Sequence, residues 1–297
     1  MKILLPLLAL ASCLFGCGPV PSESSVPQAH GYVTTADSAR LLSFEPLSST
    51  ESGSDEGHRI VLEPDRSFQA MQGFGFTLTG GSAELIHALP TDQRRELLQE
   101  LFGRTGAAIG ISYLRLSLGA SDLDAEVFSY NDLPAGQTDP EMVHFSLDPD
   151  RRHLIPVLKE ILEVNPAIRL MASPWSPPVW MKDNGSSKGG SLLPRHYPAY
   201  ARYFVRYVRE MAAEGITIDA VTVQNEPLHP GNNPSLLMEA EAQATFVGEH
   251  LGPAFAAAGL DTRIVIYDHN ADRPDYPLTV LADDRARPYV DGSAFHL

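Results

Sequence analysis

The sequence has almost no cysteine. Its 297 residues include two, Cys13 and Cys17, and both lie within the first 17 positions. The rest of the chain therefore holds no cysteine pair, and disulfide bonds do not stabilise it. A chain of this length can instead bury roughly three quarters of the surface that it exposes when unfolded. We expect its stability to depend on the size of its apolar core.

Basic residues are also few. The chain carries 22 Lys and Arg against 37 Asp and Glu, which gives a formal net charge of −15. Such an excess of negative charge repels phosphate backbones and anionic lipid surfaces. The composition therefore argues against nucleic acid as a partner, and against any membrane contact other than through a lipid anchor. An uncharged ligand is compatible with it.

Two kinds of cofactor motif are missing. Gly73-x-Gly75 and Gly80-Gly81 occur, but not in the GxGxxG order that dinucleotide-binding folds require. The His and Cys residues do not show the clustered spacing of zinc sites, and Asp268-His269 supplies at most half of a metal site. We therefore predict neither a metal ion nor an organic cofactor.

The first 16 residues have the layout of a secretory signal. One Lys precedes an apolar stretch from Ile3 to Phe15, which is short for a membrane span. The segment that ends in Gly16-Cys17 resembles a bacterial lipobox, whose cysteine is diacylated and becomes the new N-terminus. Cys13 is a second candidate, and an ordinary cleaved signal is the alternative. We predict a signal peptide over 1–16, lipidation of Cys17, a tether over 18–30, and a periplasmic, outer-membrane or cell-surface lipoprotein.

Two patterns divide the remaining residues. Over 31–68, the apolar stretches Tyr32-Val33 and Ile60 to Leu62 predict strands around a Ser-, Gly- and acid-rich loop. Over 69–297, short apolar runs alternate with amphipathic helices near 91–102, 154–162, 200–211 and 239–258. Six of these runs predict strands, at 74–78, 112–118, 168–172, 220–224, 263–267 and 289–295. This alternation is the βα repeat of a parallel sheet, and it favours an α/β barrel.

Polar residues follow five of the predicted strands, where the working residues of α/β barrels lie. Glu226 precedes Pro227, which favours an extended backbone that keeps the carboxyl at the rim. A carboxyl partly shielded from water suits general acid catalysis, and the alternative is an exposed turn residue. The two tryptophans of the chain, Trp175 and Trp180, share one Pro-rich loop. Their rings are suited either to stacking on a sugar or to local packing.

Two charged residues near the end of the second barrel strand, Arg115 and Asp122, are candidates either for a structural ion pair or for ligand contacts. Six blocks then occur in order over roughly residues 60 to 297. They are Gln72 to Gly75, Tyr113 to Arg115, Ala120 to Asp122, Ala172 to Lys182, Val221 to Pro227 and Ala294 to His296. Together these blocks resemble glycoside hydrolase family 30, the family of glucosylceramidases and endo-β-1,6-glucanases.

The resemblance implies a (β/α)8 barrel with a flanking β-sandwich, of which residues 31–68 would supply the first strands. It also implies a retaining hydrolase that uses two glutamates and no cofactor, with Glu226 as the acid/base. Asn225 would hold the sugar 2-hydroxyl. The full set of substrate-binding candidates is Asn225, Asp122, Trp175, His296, Arg115 and Trp180.

The second glutamate, the nucleophile, has no counterpart in the sequence. In the family it ends the seventh barrel strand, and Leu297 falls within or just after the sixth. We therefore expect an incomplete barrel over 69–297 and no activity from these 297 residues alone. The predicted substrate is β-1,6-glucan or a glucosylceramide-like β-glucoside. Thr79-Gly80-Gly81 replaces the Thr-Asp of many glucosylceramidases and favours a glucan. The alternative is a non-catalytic, carbohydrate-binding surface lipoprotein that lacks the nucleophile.

Overall fold

A computed structural model describes residues 29–47, 61, 63–106 and 108–296. The predicted leader, Cys17 and nearly all of the predicted tether lie outside the described residues. The chain divides into two units, one up to Phe68 and one from Gln69 onwards. Within the described part of the chain, no helix is both long enough and apolar enough to cross a membrane.

The first unit contains a small antiparallel sheet. Strand β1 (Ala29–Val33) pairs with strand β2 (Ser43–Leu47). Tyr32 and Phe44 are partners in the register, and their rings meet edge to face with centroids 5.5 Å apart. The strand predicted at Tyr32-Val33 is confirmed, whereas β2 was not predicted. The second predicted stretch, Ile60 to Leu62, lies almost wholly outside the described residues.

The second unit is built on six parallel strands in the order β3-β4-β5-β6-β7-β8. Neighbours in the chain are thus neighbours in the sheet, which is the topology of consecutive βα units in a barrel. The strands are β3 (Gly75–Leu78), β4 (Tyr113–Leu118), β5 (Arg169–Pro174), β6 (Ala220–Thr222), β7 (Arg263–Asn270) and β8 (Val290–His296). Each overlaps a predicted strand, and the α/β barrel with about six strands is confirmed.

Helices follow the strands. They are α1 (Gly80–His87), α2 (Thr91–Phe102), α3 (Asp148–Arg151), α4 (Leu154–Val164), α5 (Tyr197–Ala213), α6 (Ala240–Phe246), α7 (Gly252–Ala258) and α8 (Asp275–Ala282). A π-helical turn, Val247–Leu251, joins α6 to α7. The four predicted helices are present. Three others, α1, α3 and α8, span eight residues or fewer and were not predicted.

The sheet has one apolar face and one polar face. In β4, Leu114, Leu116 and Leu118 are fully buried against the helical layer. Arg115 and Ser117 alternate with them and point to the opposite face, because successive side chains of a strand leave on opposite sides. Neighbouring strands are in register, so their polar residues accumulate on this second face and toward the carboxyl ends of the strands.

A buried aromatic cluster packs helix α5 against the segment that follows β4. The rings of Tyr130 and Tyr207 stack with centroids 5.7 Å apart, and Tyr203 stacks on Tyr130 from 5.9 Å. The Tyr130 hydroxyl donates a hydrogen bond to Asp150, which is 4% exposed. Burial raises the pKa of Asp150 from 3.8 to about 7. This carboxyl is therefore a protonation site inside the apolar layer.

Two glycines allow a close contact at the start of α1. Thr79 caps the helix by accepting a hydrogen bond from the Ser82 amide at 3.2 Å. A Cβ atom on Gly80 would lie 1.9 Å from Asp124 Oδ1, and one on Gly81 would lie 2.1 Å from the carbonyl oxygen of Leu123. A side chain at Gly81 would therefore displace the backbone of the turn that follows β4, and one at Gly80 would displace the Asp124 carboxylate, whose Oδ2 accepts from the Ser121 amide at 2.8 Å.

Candidate active site

Side chains from four other strands or their ends converge on Asp268, near the end of β7. Its Oδ2 accepts hydrogen bonds from Arg115 Nη2 at 2.7 Å, from Thr222 Oγ1 at 2.8 Å and from Ser173 Oγ at 3.0 Å. Its Oδ1 lies 2.8 Å from His296 Nε2. The carboxylate is 1% exposed. One buried anion thus connects β4, β5, β6 and β8.

The charges of this group depend on one another. Burial pushes the pKa of Asp268 upward, but the hydrogen bond with His296 and the positive charge of Arg115 outweigh burial and lower it from 3.8 to about 2. In turn, the hydrogen bond to Asp268 raises the pKa of His296 above its ordinary value, against the effect of burial. Asp268 therefore favours the doubly protonated imidazolium form of His296.

His296 connects this anion to Glu226. Its Nδ1 lies 3.1 Å from Glu226 Oε1, so the imidazolium form donates to Asp268 through Nε2 and to Glu226 through Nδ1. Glu226 Oε2 has no hydrogen-bond partner among the described residues, and the side chain is 27% exposed. The carboxyl therefore has one fixed oxygen and one that is available to a ligand.

The backbone at Glu226 differs from the prediction. The residue has φ +45° and lies in the left-handed region, after β6 has ended, so the extended geometry inferred from Pro227 is wrong. Two backbone hydrogen bonds account for the difference. The Asn225 amide donates to the Pro174 carbonyl at 2.8 Å, and the Glu226 amide donates to the Asp268 carbonyl at 2.9 Å. The ends of β5 and β7 thus hold the segment between them.

Asn225 and Trp175 lie on the other side of Arg115. Arg115 Nη2 donates to Asn225 Oδ1 at 2.8 Å, which leaves the amide nitrogen of Asn225 as a donor for a ligand. The Arg115 guanidinium lies over the Trp175 ring, 4.8 Å from its centroid. Gln224 Nε2 fixes the backbone of this tryptophan by donating to its carbonyl oxygen at 2.7 Å. Four predicted site residues, Arg115, Asn225, Glu226 and His296, are thus linked, and Trp175 joins them through Arg115.

The other two predicted residues lie apart from this group. Asp122 is exposed at the tip of the turn after β4 and forms no ion pair with Arg115, which pairs with Asp268 instead. The ion-pair interpretation of Arg115 and Asp122 is therefore wrong. The indole N–H of Trp180 donates to both the carbonyl oxygen and Oδ1 of Asn131, at 3.1 and 3.0 Å. These are contacts of local packing.

Sequence reasoning missed the central carboxylate. It considered Asp268 only as half of a metal site, whereas both of its oxygens accept hydrogen bonds from protein groups. Within the described ranges, no group of three or more His, Cys, Asp or Glu residues is arranged to hold a metal ion. The sequence contained only a weak indication that Asp268 lies in a polar group inside the barrel. Ser173 and Thr222 are small polar residues near the ends of apolar strands, which places them on the inner face of a barrel.

The fold and the site together define a class of protein. A partly buried carboxyl, an amide donor and a tryptophan lie beside one another at the carboxyl ends of parallel βα strands, where α/β-barrel enzymes place their reactive groups. A comparison with known families identifies one family within this class of enzymes. The family model of the glycosyl hydrolase family 30 TIM-barrel domain matches residues 71–297. The chain therefore belongs to glycosyl hydrolase family 30.

Two relatives and one solved structure illustrate what the chain is similar to. The chain is 36% identical over 280 residues to an endo-1,6-β-D-glucanase of Neurospora crassa, covering 91% of this chain and 57% of that protein. It is 32% identical over 278 residues to the lysosomal acid glucosylceramidase of Mus musculus, covering 89% and 53%. A solved endo-β1,6-glucanase superposes with a TM-score of 0.80 at 35% identity, covering 89% and 59%. The chain thus spans little more than half the length of these relatives.

Proposed function

We propose that the protein is a retaining hydrolase that cleaves the glucosidic bonds of β-1,6-glucan or a related β-glucoside, with Glu226 as its general acid and base. The observation that carries the proposal is the asymmetric environment of the Glu226 carboxyl. His296 holds Oε1 at 3.1 Å, and Oε2 has no partner among the described residues. One oxygen is thus fixed, and the other can exchange a proton with a glycosidic oxygen.

The mechanism has two steps in this proposal. Glu226 Oε2 first protonates the departing glycosidic oxygen while a second carboxylate attacks the anomeric carbon, and the glycosyl ester that forms is then hydrolysed by water that Glu226 deprotonates. The amide nitrogen of Asn225 donates to the sugar 2-hydroxyl. Family resemblance assigns the second carboxylate to the seventh barrel strand, whereas the sheet described here has six strands. The proposal therefore assigns only the acid/base to this chain.

The substrate class rests on the relatives. The Neurospora protein is named for β-1,6-glucan, and the mouse protein for glucosylceramide. Their shared chemistry is a β-linked glucosyl unit on an oxygen leaving group. The acidic composition of this chain, with a net charge of −15, fits such an uncharged sugar. Because the chain spans about half of each relative, its substrate is part of the proposal.

The test is Glu226→Gln in the protein expressed from its complete reading frame. Loss of the general acid should lower the turnover of β-1,6-glucan by about 10²–10⁴-fold. An aryl β-glucoside with a good leaving group needs no protonation and should still release one burst of phenolate. Glu241→Gln, at an exposed position in the first turn of α6, is the matched control and should keep full turnover of both substrates.

Two results would contradict the proposal. Unchanged hydrolysis of both substrates by Glu226→Gln would show that Glu226 is not the general acid and base. Release of the α-anomer as the first product, followed by proton NMR, would show inversion rather than retention. If the wild-type protein binds β-glucan but hydrolyses no β-glucoside, the non-catalytic carbohydrate-binding alternative replaces the enzyme.

We also propose that the protein is exported and anchored through Cys17 as a periplasmic or surface lipoprotein. The support is the sequence alone, with its short apolar leader and the segment that ends in Gly16-Cys17. Mass spectrometry of the membrane fraction should find a diacylated Cys17 at the N-terminus. Cys17→Ser should move the protein to the soluble fraction, while Cys13→Ser should not. Retention of Cys17→Ser in the membrane would contradict the anchor.

A further inference from the structure

Strand β7 contains a β-bulge at Asp268. Tyr267 pairs with Ala294 in β8. His269 pairs with the next residue of β8, Phe295, so Asp268 is an extra residue in β7. Tyr267 and Asp268 have φ +71° and +68°, in the left-handed region that residues other than glycine seldom adopt. Two such residues in succession persist only where the surrounding structure holds them.

The bulge reverses the directions in which the side chains of β7 point. Val265 pairs with Thr222 of β6, and the Thr222 hydroxyl donates to Asp268, so this pair faces the polar side of the sheet. Regular alternation from Val265 would turn Tyr267 to that side and Asp268 toward the helices. The structure shows the opposite, because the Tyr267 ring packs on Tyr276 of α8, with centroids 4.8 Å apart. The bulge therefore brings Asp268 into the site.

Gln243 of α6 holds the bulge from the helical side of the sheet. It is fully buried, and its Oε1 accepts a hydrogen bond from the Tyr267 amide at 2.9 Å. Its Nε2 makes only a weak contact, 3.9 Å from Met238 Sδ. A buried amide costs stability unless it is bonded, so the acceptor oxygen is the useful part of this side chain. Tyr276 supports the same bulge, because its hydroxyl donates to the Met238 carbonyl oxygen at 2.7 Å.

Two contacts connect the bulge to Glu226. The Asp268 carbonyl accepts from the Glu226 amide at 2.9 Å, and the Asp268 carboxylate holds His296, whose Nδ1 lies 3.1 Å from Glu226 Oε1. We propose that Gln243 is a positioning residue for Glu226, because its hydrogen bond to Tyr267 fixes the bulge on which both contacts depend. This inference rests on the proposed function and adds to it a fully buried residue outside the polar face of the sheet.

The test compares two substrates and uses the protein expressed from its complete reading frame. Gln243→Leu roughly keeps the volume of the side chain but removes the acceptor of the Tyr267 amide. We expect kcat on β-1,6-glucan to fall about tenfold or more, with KM within about twofold of wild type, because Glu226 is displaced from the leaving oxygen. The burst from an aryl β-glucoside needs no protonation and should keep its rate within about twofold. Gln243→Glu restores an acceptor oxygen and should return kcat on the glucan to within about threefold.

A second measurement follows His296 directly. The hydrogen bond to Asp268 raises the pKa of His296 against the effect of burial, Glu226 adds to the increase, and Arg115 opposes it. The ring of His269 lies nearby, with centroids 6.4 Å apart. NMR titration of the histidine rings identifies His296 by its absence from His296→Gln. In the leucine variant, His296 should titrate at a lower pH than in wild type, because its bond to Asp268 is disturbed.

Two control variants separate positioning from general damage. Gln93→Leu makes the same substitution at an exposed position of α2 and should change neither kcat nor the titration. Val157→Ala opens a cavity at a fully buried position of α4, so it should lower the Tm and leave kcat and the titration at wild-type values. In the wild type, the Tyr267 amide should exchange hydrogen at least about tenfold more slowly than the Asp272 amide in the exposed turn after β7.

Each outcome decides the inference. Wild-type kcat in Gln243→Leu, equal losses on both substrates, or an unchanged His296 titration would overturn it. The same pattern of losses in Val157→Ala would overturn it as well. If Gln243→Leu does not fold, exchange of the Tyr267 amide as fast as that of Asp272 would overturn it, because the bond to Gln243 would then be absent. A wild type that hydrolyses neither substrate would instead overturn the proposed function, and a lower His296 titration in the leucine variant would then still show that Gln243 positions His296.

Discussion

Asp268→Asn should destabilise the fold, because it removes the buried anion on which four strands converge. The asparagine keeps the shape of the side chain but removes the negative charge that Arg115 and His296 contact at 2.7 and 2.8 Å. Arg115 then keeps only Asn225 as a charge-assisted partner, in a position where its side chain is 16% exposed. A positive charge with incomplete compensation in such a position destabilises the fold.

The pKa of Asp268 gives the size of the expected loss of stability. Its decrease from 3.8 to about 2 corresponds to about 2.5 kcal/mol of stability at neutral pH. For a folded unit of this size, that amount lowers the Tm by about 5–10 °C. Because the folded-state pKa is depressed, the contribution is complete above pH 3.8 and is lost as the pH falls through about 2. The difference between wild type and variant should therefore shrink below pH 4, and it should also decrease above pH 6.5, where His296 loses the proton that Asp268 stabilises.

The assay is urea unfolding followed by tryptophan fluorescence and circular dichroism. The matched control is Asp275→Asn. Asp275 forms a bidentate ion pair with Arg273, as Asp268 forms an ion pair with Arg115, but it lies on the surface. Exposed pairs contribute little, so this variant should unfold close to wild type. If Asp268→Asn unfolds at the same urea concentration as the control, the central role of Asp268 is refuted.

Two further predictions concern buried charges. Burial raises the pKa of Asp150 to about 7, so the free energy of unfolding should fall as the pH rises from 4 through 7, by at most about 4 kcal/mol. Asp150→Asn, which can still accept from Tyr130, should remove this decrease. Identical pH profiles of Tm in the wild type and the variant would contradict the prediction. Lys182→Met removes the donor to Ser176 Oγ and to the carbonyl oxygens of Ser187 and Ser235, in the loops after β5 and β6. The Ser235 amide, which donates to the same Ser187 carbonyl at 2.9 Å, should exchange hydrogen at least tenfold faster. The Leu116 amide in β4 should keep its wild-type rate, and equal rates at Ser235 would refute the role of Lys182.

The strands and long helices could be predicted because their signals are local. The alternation of Leu114, Leu116 and Leu118 with polar residues fits a strand. In α4, Leu154, Val157, Leu158 and Ile161 are buried at helical spacing, and the helix ends before Asn165-Pro166. Each signal lies within a single element. The order of the elements then determines the barrel, because consecutive βα units pair in chain order.

The site was predicted only in part, because its contacts are distant in the sequence. The four partners of Asp268 lie between 28 and 153 positions away, so no local pattern identifies it. Trp175 and Trp180 were equivalent as sequence, yet one contacts Arg115 and the other Asn131. At Glu226 the local rule for residues before proline failed, because hydrogen bonds to the ends of two neighbouring strands determine the backbone there.

The close contact at Gly80 and Gly81 has a consequence for engineering. A Cβ atom at Gly81 would collide with the backbone carbonyl of Leu123, and one at Gly80 with the side chain of Asp124, so residues 79–81 and 121–124 are best exchanged together. Asp122 belongs to the second of these segments. A library that randomises residues 79–81 while it keeps residues 121–124 would contain many variants whose side chains clash with this turn. Replacing both segments with those of one relative would keep their packing compatible.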